Sequence, residues 1–115
     1  LSGDSAIGFS GMEMETLVRY NLPAKIVVLN NGGIGPGMPE IPDDPMMKLK
    51  PNALIYGARY DKMMEDFGGK GFFVENPNDI PAALEAAMAF PGPALVNIVI
   101  SQNSSRKPQK FAWNS

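Results

Sequence analysis

The chain contains neither cysteine nor histidine, and these two absences exclude a large share of protein chemistry. Without cysteine there are no disulfides, thiolate nucleophiles or zinc–thiolate sites. Without histidine, Ser-His-Asp hydrolysis, histidine-ligated metals and imidazole acid–base catalysis are excluded as well. Any chemistry must therefore come from carboxylates, amides, hydroxyls and backbone groups, or from a bound cofactor that carries its own reactive atom.

Net charge and long apolar runs are also scarce. The formal net charge of -2 indicates no basic surface for nucleic acid or an anionic membrane. No apolar run approaches the roughly 20 residues that a membrane-spanning helix needs. With 115 residues, of which 44% are hydrophobic and 19% charged, the composition is typical of one folded domain or part of one.

The order of apolar segments predicts an α/β fold with a mostly parallel, open sheet and flanking helices. Continuously apolar stretches at residues 25–29, 71–75 and 94–100 are typical of buried parallel strands, the last one interrupted by Asn97. Apolar residues at helical spacing alternate with them: Met14, Leu17 and Val18 within 11–20; Tyr60, Met63, Met64 and Phe67; and Ile80, Ala83, Leu84, Ala87 and Met88. Alternation of this kind implies right-handed crossovers.

A segment rich in glycine and proline, residues 32–58, is predicted to be a long functional loop. Its methionines, Met38, Met46 and Met47, suit either gap-filling packing or an adaptable apolar wall. Residues 1–100 are predicted to form the domain and residues 101–115 a C-terminal tail.

Two polar turns carry the candidate site. Residues 3–5 (Gly-Asp-Ser) and 30–33 (Asn-Asn-Gly-Gly) are separated by a predicted helix and strand, so both turns are expected at the same edge of the sheet. Asp4 offers a carboxylate and Asn31 an amide carbonyl, and Mg²⁺ prefers such oxygen ligands together with substrate phosphates. Each turn alone is common in loops. Their combination predicts a magnesium–diphosphate site.

The residues around these turns resemble the signature of thiamine-diphosphate enzymes. The resemblance is carried by residues 3–13, 19–23 and 30–34, and it extends through 67–74. It is closest to the 2-hydroxyacyl-CoA lyases and oxalyl-CoA decarboxylases. The resemblance implies the C-terminal cofactor-binding domain of such an enzyme, with thiamine diphosphate and Mg²⁺ as cofactors, and it indicates an incomplete domain whose leading strand is missing.

The resemblance also implies roles for single residues. Its cofactor-binding set comprises Gly3, Asp4, Ser5, Ala6, Asn31, Gly33 and Ile34. Within this set, Asp4, Asn31 and the backbone carbonyl of Gly33 match the family's Mg²⁺ ligands. Backbone groups of Ser5 and Ala6 match its diphosphate contacts.

Substrate contacts are implied at the C-terminus, which resembles the tail of the lyases. Arg106, Lys107 and Lys110 are expected to meet CoA phosphates. Trp113 or Phe111 is expected to close over the acyl group, so the tail is a candidate lid of the active site.

The reaction implied is cleavage of a 2-hydroxyacyl-CoA to formyl-CoA and an aldehyde. The activating glutamate of the family lies in another domain, normally that of a second subunit, which implies a homo-oligomer, dimeric or tetrameric, with the site at a subunit interface. The chain by itself is therefore expected to be inactive. At Gly35 the acyl-CoA relatives generally carry tyrosine, so a ring and a hydroxyl are absent beside the cofactor.

Two alternatives remain open from the sequence. One is an oxalyl-CoA decarboxylase or a carboligase of the same group. The other is a non-catalytic fragment that only folds or associates with partner subunits. The compartment is not decided, with cytoplasm and peroxisome as the two candidates.

Overall fold

The computed structural model describes residues 1–35 and 50–104. Within them, four strands form one sheet in the order β1-β2-β4-β3. The strands are β1 (Ser2–Gly3), β2 (Lys25–Asn30), β3 (Lys70–Val74) and β4 (Ala94–Val99). All three pairings are parallel, which confirms the predicted α/β fold.

Helices precede or follow each strand. They are α1 (Asp4–Ser10), α2 (Glu13–Arg19), α3 (Tyr60–Asp66) and α4 (Ile80–Ala89), the last preceded by a short 3₁₀ turn, Pro77–Asp79. None of the helices in the described part of the chain is long and apolar enough to cross a membrane. Asn76 caps the 3₁₀ turn through its side chain, as its position before Pro77 suggests.

The predicted helix over residues 11–20 is confirmed as α2, but the helix that precedes it, α1, was not predicted. The chain is already helical from Asp4, and it bends at Gly11 before α2 begins. A side chain at Gly11 would lie 2.7 Å from the backbone oxygen of Ile7, so the close approach at this bend requires glycine. The helix that begins beside the candidate site is therefore α1, and Asp4 is its first residue.

The leading strand predicted to be missing is present in part. Two residues, Ser2 and Gly3, pair with Val28 and Leu29 of β2. Strand β2 thus lies between β1 and β4. Asp4 directly follows β1 and Asn30 ends β2, so the two residues lie at the same edge of the sheet.

Two apolar clusters cover opposite faces of the sheet. One, under α1, α2 and α3, contains Ile7, Met14, Val28, Met64 and Leu95. The other, under α4, contains Val74, Ala87, Ala94, Val96 and Ile98. Because neighbouring residues of a strand point to opposite faces, β4 contributes to both clusters and reads as a continuous apolar run.

Two residues depart from the apolar pattern of their elements. Asn97 is the one polar residue of β4, and its amide is fully buried and hydrogen-bonded. Met88 is 69% exposed rather than part of the packed face of α4. Ile80, Ala83, Leu84 and Ala87 form that face, and Met88, eight residues after Ile80, has rotated past its edge.

Candidate functional site

The candidate site lies where β1 and β2 end. Asp4 follows β1 as the first residue of α1, and Asn30 is the last residue of β2. The backbone N–H of Gly33 donates a hydrogen bond to Oδ2 of Asp4 at 3.0 Å. The two polar turns, which are far apart in the sequence, therefore meet at the carboxyl edge of the parallel sheet, where open α/β folds bind ligands.

Asp4 is a buried carboxylate with backbone partners. Its side chain belongs to a residue that is only 2% exposed, and its oxygens accept hydrogen bonds from the N–H groups of Ser5 and Gly33. In the described ranges, no lysine or arginine forms an ion pair with it. A buried carboxylate is costly without a compensating positive charge, so this environment suits a bound cation.

Asn31 is oriented by the backbone of Gly35. Its Nδ2 donates to the carbonyl oxygen of Gly35 at 2.9 Å, and this fixes which side of the amide Oδ1 occupies. Gly35 has a φ of 86°, a conformation that residues with side chains rarely adopt, although a Cβ there would meet none of the described residues within 4 Å. The glycine is therefore required by the backbone conformation that presents its carbonyl to Asn31.

The turn between Asn30 and Gly33 is held from two sides. Gly32, with a φ of 75°, donates its N–H to Oδ1 of Asn30 at 3.2 Å. Its carbonyl accepts from the N–H of Leu54, and Gly33 forms an antiparallel bridge with Ala53. The carbonyl of Gly33 accepts no hydrogen bond from the residues that the structure describes, so it remains available as a ligand.

The remaining residues of the predicted cofactor-binding set surround this turn. Gly3 and Ala6 are exposed at the beginning of α1, where the first backbone N–H groups have no partner within the helix. Ile34 is 52% exposed, and its N–H donates to the carbonyl of Asn52. The N–H of Ser5 is turned toward the carboxylate of Asp4.

A shallow hollow of about 320 Å³ opens next to Asp4. Tyr60, Met63 and Met12 contribute to its walls. Burial, and then the negative charge of Asp4, raise the pKa of Tyr60, so its hydroxyl stays protonated near neutral pH. Sequence patterns did predict that Tyr60 packs with the core, and the structure places it between the core and this hollow.

Sequence reasoning missed a buried polar cluster directly beneath the turn. Asn30, Asn97 and Asp61 are each 1% exposed or less and share hydrogen bonds. Burial by itself raises the pKa of Asp61. Hydrogen bonds from Arg59 and Asn97 lower it by a larger amount, so the pKa lies below the ordinary value. The signal that could have revealed this cluster was Asn97 itself, a polar residue in an otherwise apolar strand.

Several predicted substrate residues lie outside the described residues. They are Arg106, Lys107, Lys110, Phe111 and Trp113, together with the methionines of the long loop, Met38, Met46 and Met47.

The donors at the turn fit Mg²⁺ with a diphosphate. In the described part of the chain, no three acidic, histidine or cysteine side chains gather into a metal cage. The site offers instead one carboxylate, one amide oxygen and one backbone carbonyl. Mg²⁺ is commonly bound through one or two protein groups, with phosphate and water oxygens completing the octahedron.

Comparison with known proteins establishes the family. Residues 1–98 match the family model described as thiamine pyrophosphate enzyme, C-terminal TPP binding domain, and the chain belongs to this family. Thiamine pyrophosphate is another name for thiamine diphosphate, so the predicted cofactor is confirmed.

The relatives of this chain include a 2-hydroxyacyl-CoA lyase and an oxalyl-CoA decarboxylase. The chain is 40% identical over 121 residues to 2-hydroxyacyl-CoA lyase 1 of Homo sapiens, an alignment that covers 98% of this chain and 21% of that protein. It is 41% identical over 109 residues to the oxalyl-CoA decarboxylase of Escherichia coli strain K12, covering 87% of this chain and 18% of that protein. The chain thus spans about a fifth of the length of these relatives.

A solved structure with the same fold is the thiamine diphosphate-dependent 4-hydroxybenzoylformate decarboxylase of Rhodococcus jostii RHA1. It superposes with a TM-score of 0.65 at 20% identity, covering 89% of this chain and 19% of that one. At this identity the likeness supports the fold alone.

Proposed function

We propose that this chain is the cofactor-binding part of a longer thiamine-diphosphate-dependent 2-hydroxyacyl-CoA lyase. The observation that carries the proposal is the hydrogen bond from Gly33 to Asp4, which joins the two polar turns at one point. The similarity to a named lyase over 98% of the chain supports the substrate class. In this proposal, residues 1–100 form the cofactor-binding domain and 101–115 a tail.

The metal would be held by three oxygens of this chain: the Asp4 carboxylate, Oδ1 of Asn31 and the carbonyl of Gly33. Backbone groups of Gly3, Ser5, Ala6 and Ile34 would line the diphosphate. When bound, the cofactor supplies a nucleophilic carbon and an electron sink for cleavage next to the thioester carbonyl. The part of this chain in the reaction is to hold the diphosphate end rigidly, so that the reactive carbon is positioned by the protein.

The remaining requirements of the reaction lie outside this domain. We assign the activating glutamate to another domain of a partner subunit, in a homodimer or homotetramer. Exposed apolar side chains next to the hollow support an interface there, because Phe9 is 91% exposed and Met12 is 67% exposed. Arg106, Lys107 and Lys110 would bind CoA phosphates, and Trp113 or Phe111 would cover the acyl group.

A second candidate is an oxalyl-CoA decarboxylase, which the 41% identity to the bacterial enzyme favours. Gly35 is relevant to this choice, because it has neither ring nor hydroxyl where the acyl-CoA relatives generally carry tyrosine.

Product analysis separates the candidates. The full-length protein is incubated with thiamine diphosphate, Mg²⁺ and either a 2-hydroxyacyl-CoA or oxalyl-CoA, and the products are identified by mass spectrometry. Aldehyde and formyl-CoA from the first substrate support the lyase. Carbon dioxide and formyl-CoA from the second, with the first left intact, support the decarboxylase instead. Turnover of neither by a protein that binds the cofactor leaves a carboligase of the same group or the non-catalytic alternative.

A further inference from the structure

A chain of buried hydrogen bonds links the metal-site turn to helix α3. Oδ1 of Asn30 accepts from the N–H of Gly32, and Nδ2 of Asn30 donates to Oδ1 of Asn97 at 3.3 Å. Nδ2 of Asn97 then donates to Oδ1 of Asp61 at 3.2 Å. Asp61 is finally paired with Arg59, whose guanidinium donates to Oδ2 at 2.7 Å.

Two acceptors set the direction of the bonds in this chain: the carboxylate of Asp61 and the backbone carbonyl of Ala58. An ionised carboxylate can only accept, so Asp61 requires Nδ2 of Asn97 to face it. The carbonyl oxygen of Asn97 then faces Asn30, which must turn its own Nδ2 toward Asn97. Oδ1 of Asn30 is left facing the N–H of Gly32. The backbone carbonyl of Ala58 accepts from both amide nitrogens, at 3.0 Å and 2.7 Å, and supports the same orientation.

Both asparagine amides have all their N–H groups bonded. Asn30 donates to Ala58 and Asn97, and Asn97 donates to Ala58 and Asp61. The residues are at most 1% exposed, so water does not substitute for a lost partner without a rearrangement. A change at Asp61 therefore removes one of the two acceptors that hold Asn97, and through Asn97 it loosens the position of Asn30.

Asn30 controls the turn that presents the proposed metal ligands. Its side chain bonds the N–H of Gly32, which lies between Asn31 and Gly33 and has a φ of 75°. If the amide of Asn30 is reversed, an N–H group faces the N–H of Gly32, and this turn loses its hydrogen bond. The positions of Oδ1 of Asn31 and the carbonyl of Gly33 depend on that turn.

We propose that Asp61 is a positioning residue for the metal site, acting through Asn97 and Asn30 without touching the metal. This chain of hydrogen bonds from Asp61 through Asn97 and Asn30 to Gly32 is called the relay below, and it rests on the metal site proposed above. It assigns a function to Asp61 and Asn97 beyond the stability of the core. Outer groups that orient metal ligands typically change metal affinity by about 10–100-fold when they are altered.

The test is Mg²⁺ affinity in the full-length protein at saturating thiamine diphosphate, measured by calorimetric titration well below the melting temperature. Asp61→Asn is isosteric and removes the charged acceptor of Asn97, so that the carbonyl of Ala58 alone holds the amide of Asn97 in its orientation. Met64→Ala is the matched control, because Met64 lies on the same helix, is fully buried and belongs to the apolar cluster rather than the relay. It is expected to lower the melting temperature, because it leaves a cavity in the core, without disturbing the hydrogen bonds of Asp61.

The relay predicts that Asp61→Asn weakens Mg²⁺ binding about tenfold or more, while Met64→Ala changes it less than about twofold. Arg59→Gln provides a milder variant should Asp61→Asn fail to fold, and it should weaken Mg²⁺ binding by a smaller factor.

Mg²⁺ affinity that is unchanged in Asp61→Asn, or unchanged in Arg59→Gln where only that variant folds, overturns the relay. An equal loss in Met64→Ala also overturns it, since the effect is then one of stability. A wild-type protein that takes up no Mg²⁺ contradicts both the metal site and the relay. If the wild-type protein does bind Mg²⁺, the metal site stands, and the variants test the relay alone.

Discussion

At the scale of single residues, the site depends on a few atoms whose orientation is set by neighbouring groups. The Asp4 carboxylate accepts two backbone N–H groups, and the amide of Asn31 is turned by the carbonyl of Gly35. Because both arrangements use backbone partners, the geometry of the turn matters as much as the identity of the side chains.

Gly35 provides a direct test of this dependence. Alanine there is strained by about 1–2 kcal/mol, since a φ of 86° is unfavourable for L-residues. We expect Gly35→Ala to shift the carbonyl that orients Asn31 and to weaken Mg²⁺ binding in a calorimetric titration of the full-length protein. Gly68→Ala is the control, because Gly68 has a similar φ of 103° at the end of α3. Equal Mg²⁺ affinity in the two variants would contradict the role assigned to Gly35.

Asp61 predicts a pH dependence of stability. Its folded-state pKa lies below the ordinary value of about 3.9, so the unfolded state binds the proton more tightly. The stabilisation is therefore complete above that value and is lost as the pH falls through the folded-state pKa. Hydrogen bonds to a charged group are worth about 1.5–3 kcal/mol, and Asp61→Asn should cost a similar amount at pH 7.

Urea unfolding of the full-length protein at pH 7 and at pH 3 measures this difference. The gap in unfolding free energy between wild type and Asp61→Asn should narrow at the lower pH. A gap of the same size at both values would show that the charge of Asp61 contributes nothing.

At the scale of elements, hydrophobic patterns predicted three of the four strands and three of the four α-helices in the described residues, and the elements beside Asp4 were the ones missed. Strands β2, β3 and β4 agree with the predicted segments within two residues at each end, since buried parallel strands read as continuous apolar runs. Helix α1 was missed because its seven residues contain two polar serines and a glycine, and because its apolar face is short. Local patterns do not show such a helix, which is stabilised by the sheet it follows.

Part of the candidate site was predictable from the sequence and part was not. The two turns and Asp4 were visible in the sequence because spacing and residue type are local properties. The relay under them was not, since Asn30 and Asn97 lie on strands that are adjacent only in the folded sheet. The contact of Asn97 with Asp61 adds a helix that no sequence pattern connects to this strand.

Helix α3 makes a close contact with the sheet that a single glycine permits. A Cβ at Gly71 would overlap the backbone carbonyl group of Asp61, so α3 begins directly against β3 only because Gly71 has no side chain. We expect Gly71→Ala to push the start of α3 outward and to lower the unfolding free energy by about 1–3 kcal/mol, the range typical of overpacking.

Thermal unfolding of the full-length protein tests this prediction. Ala82→Gly on the exposed side of α4 is a control for helix and sheet stability, with an expected cost of about 1 kcal/mol. A melting temperature for Gly71→Ala equal to that of wild type would contradict the proposed contact.

At the scale of the whole molecule, the proposed mechanism assigns the metal and the diphosphate to this domain and the group that activates the cofactor to another domain. The 115-residue chain alone should therefore show no turnover of 2-hydroxyacyl-CoA or oxalyl-CoA, and activity should appear when the other domains are supplied. The assay is formyl-CoA release by the purified chain, with the full-length protein as the positive control. Turnover by the purified chain itself would refute the assignment of the activating group to another domain.

The central claim is that Asp4 and Asn31 hold Mg²⁺ and so bind the diphosphate. The most direct measurement is calorimetric titration of the full-length protein with thiamine diphosphate, with and without Mg²⁺. Asp4→Ala and Asn31→Ala should weaken binding by more than the roughly 10–100-fold typical of outer groups, and binding should no longer respond to Mg²⁺. Asp66→Ala, which alters an exposed carboxylate at the end of α3, should bind as wild type does. Wild-type, Mg²⁺-dependent affinity in Asp4→Ala and Asn31→Ala would contradict the account.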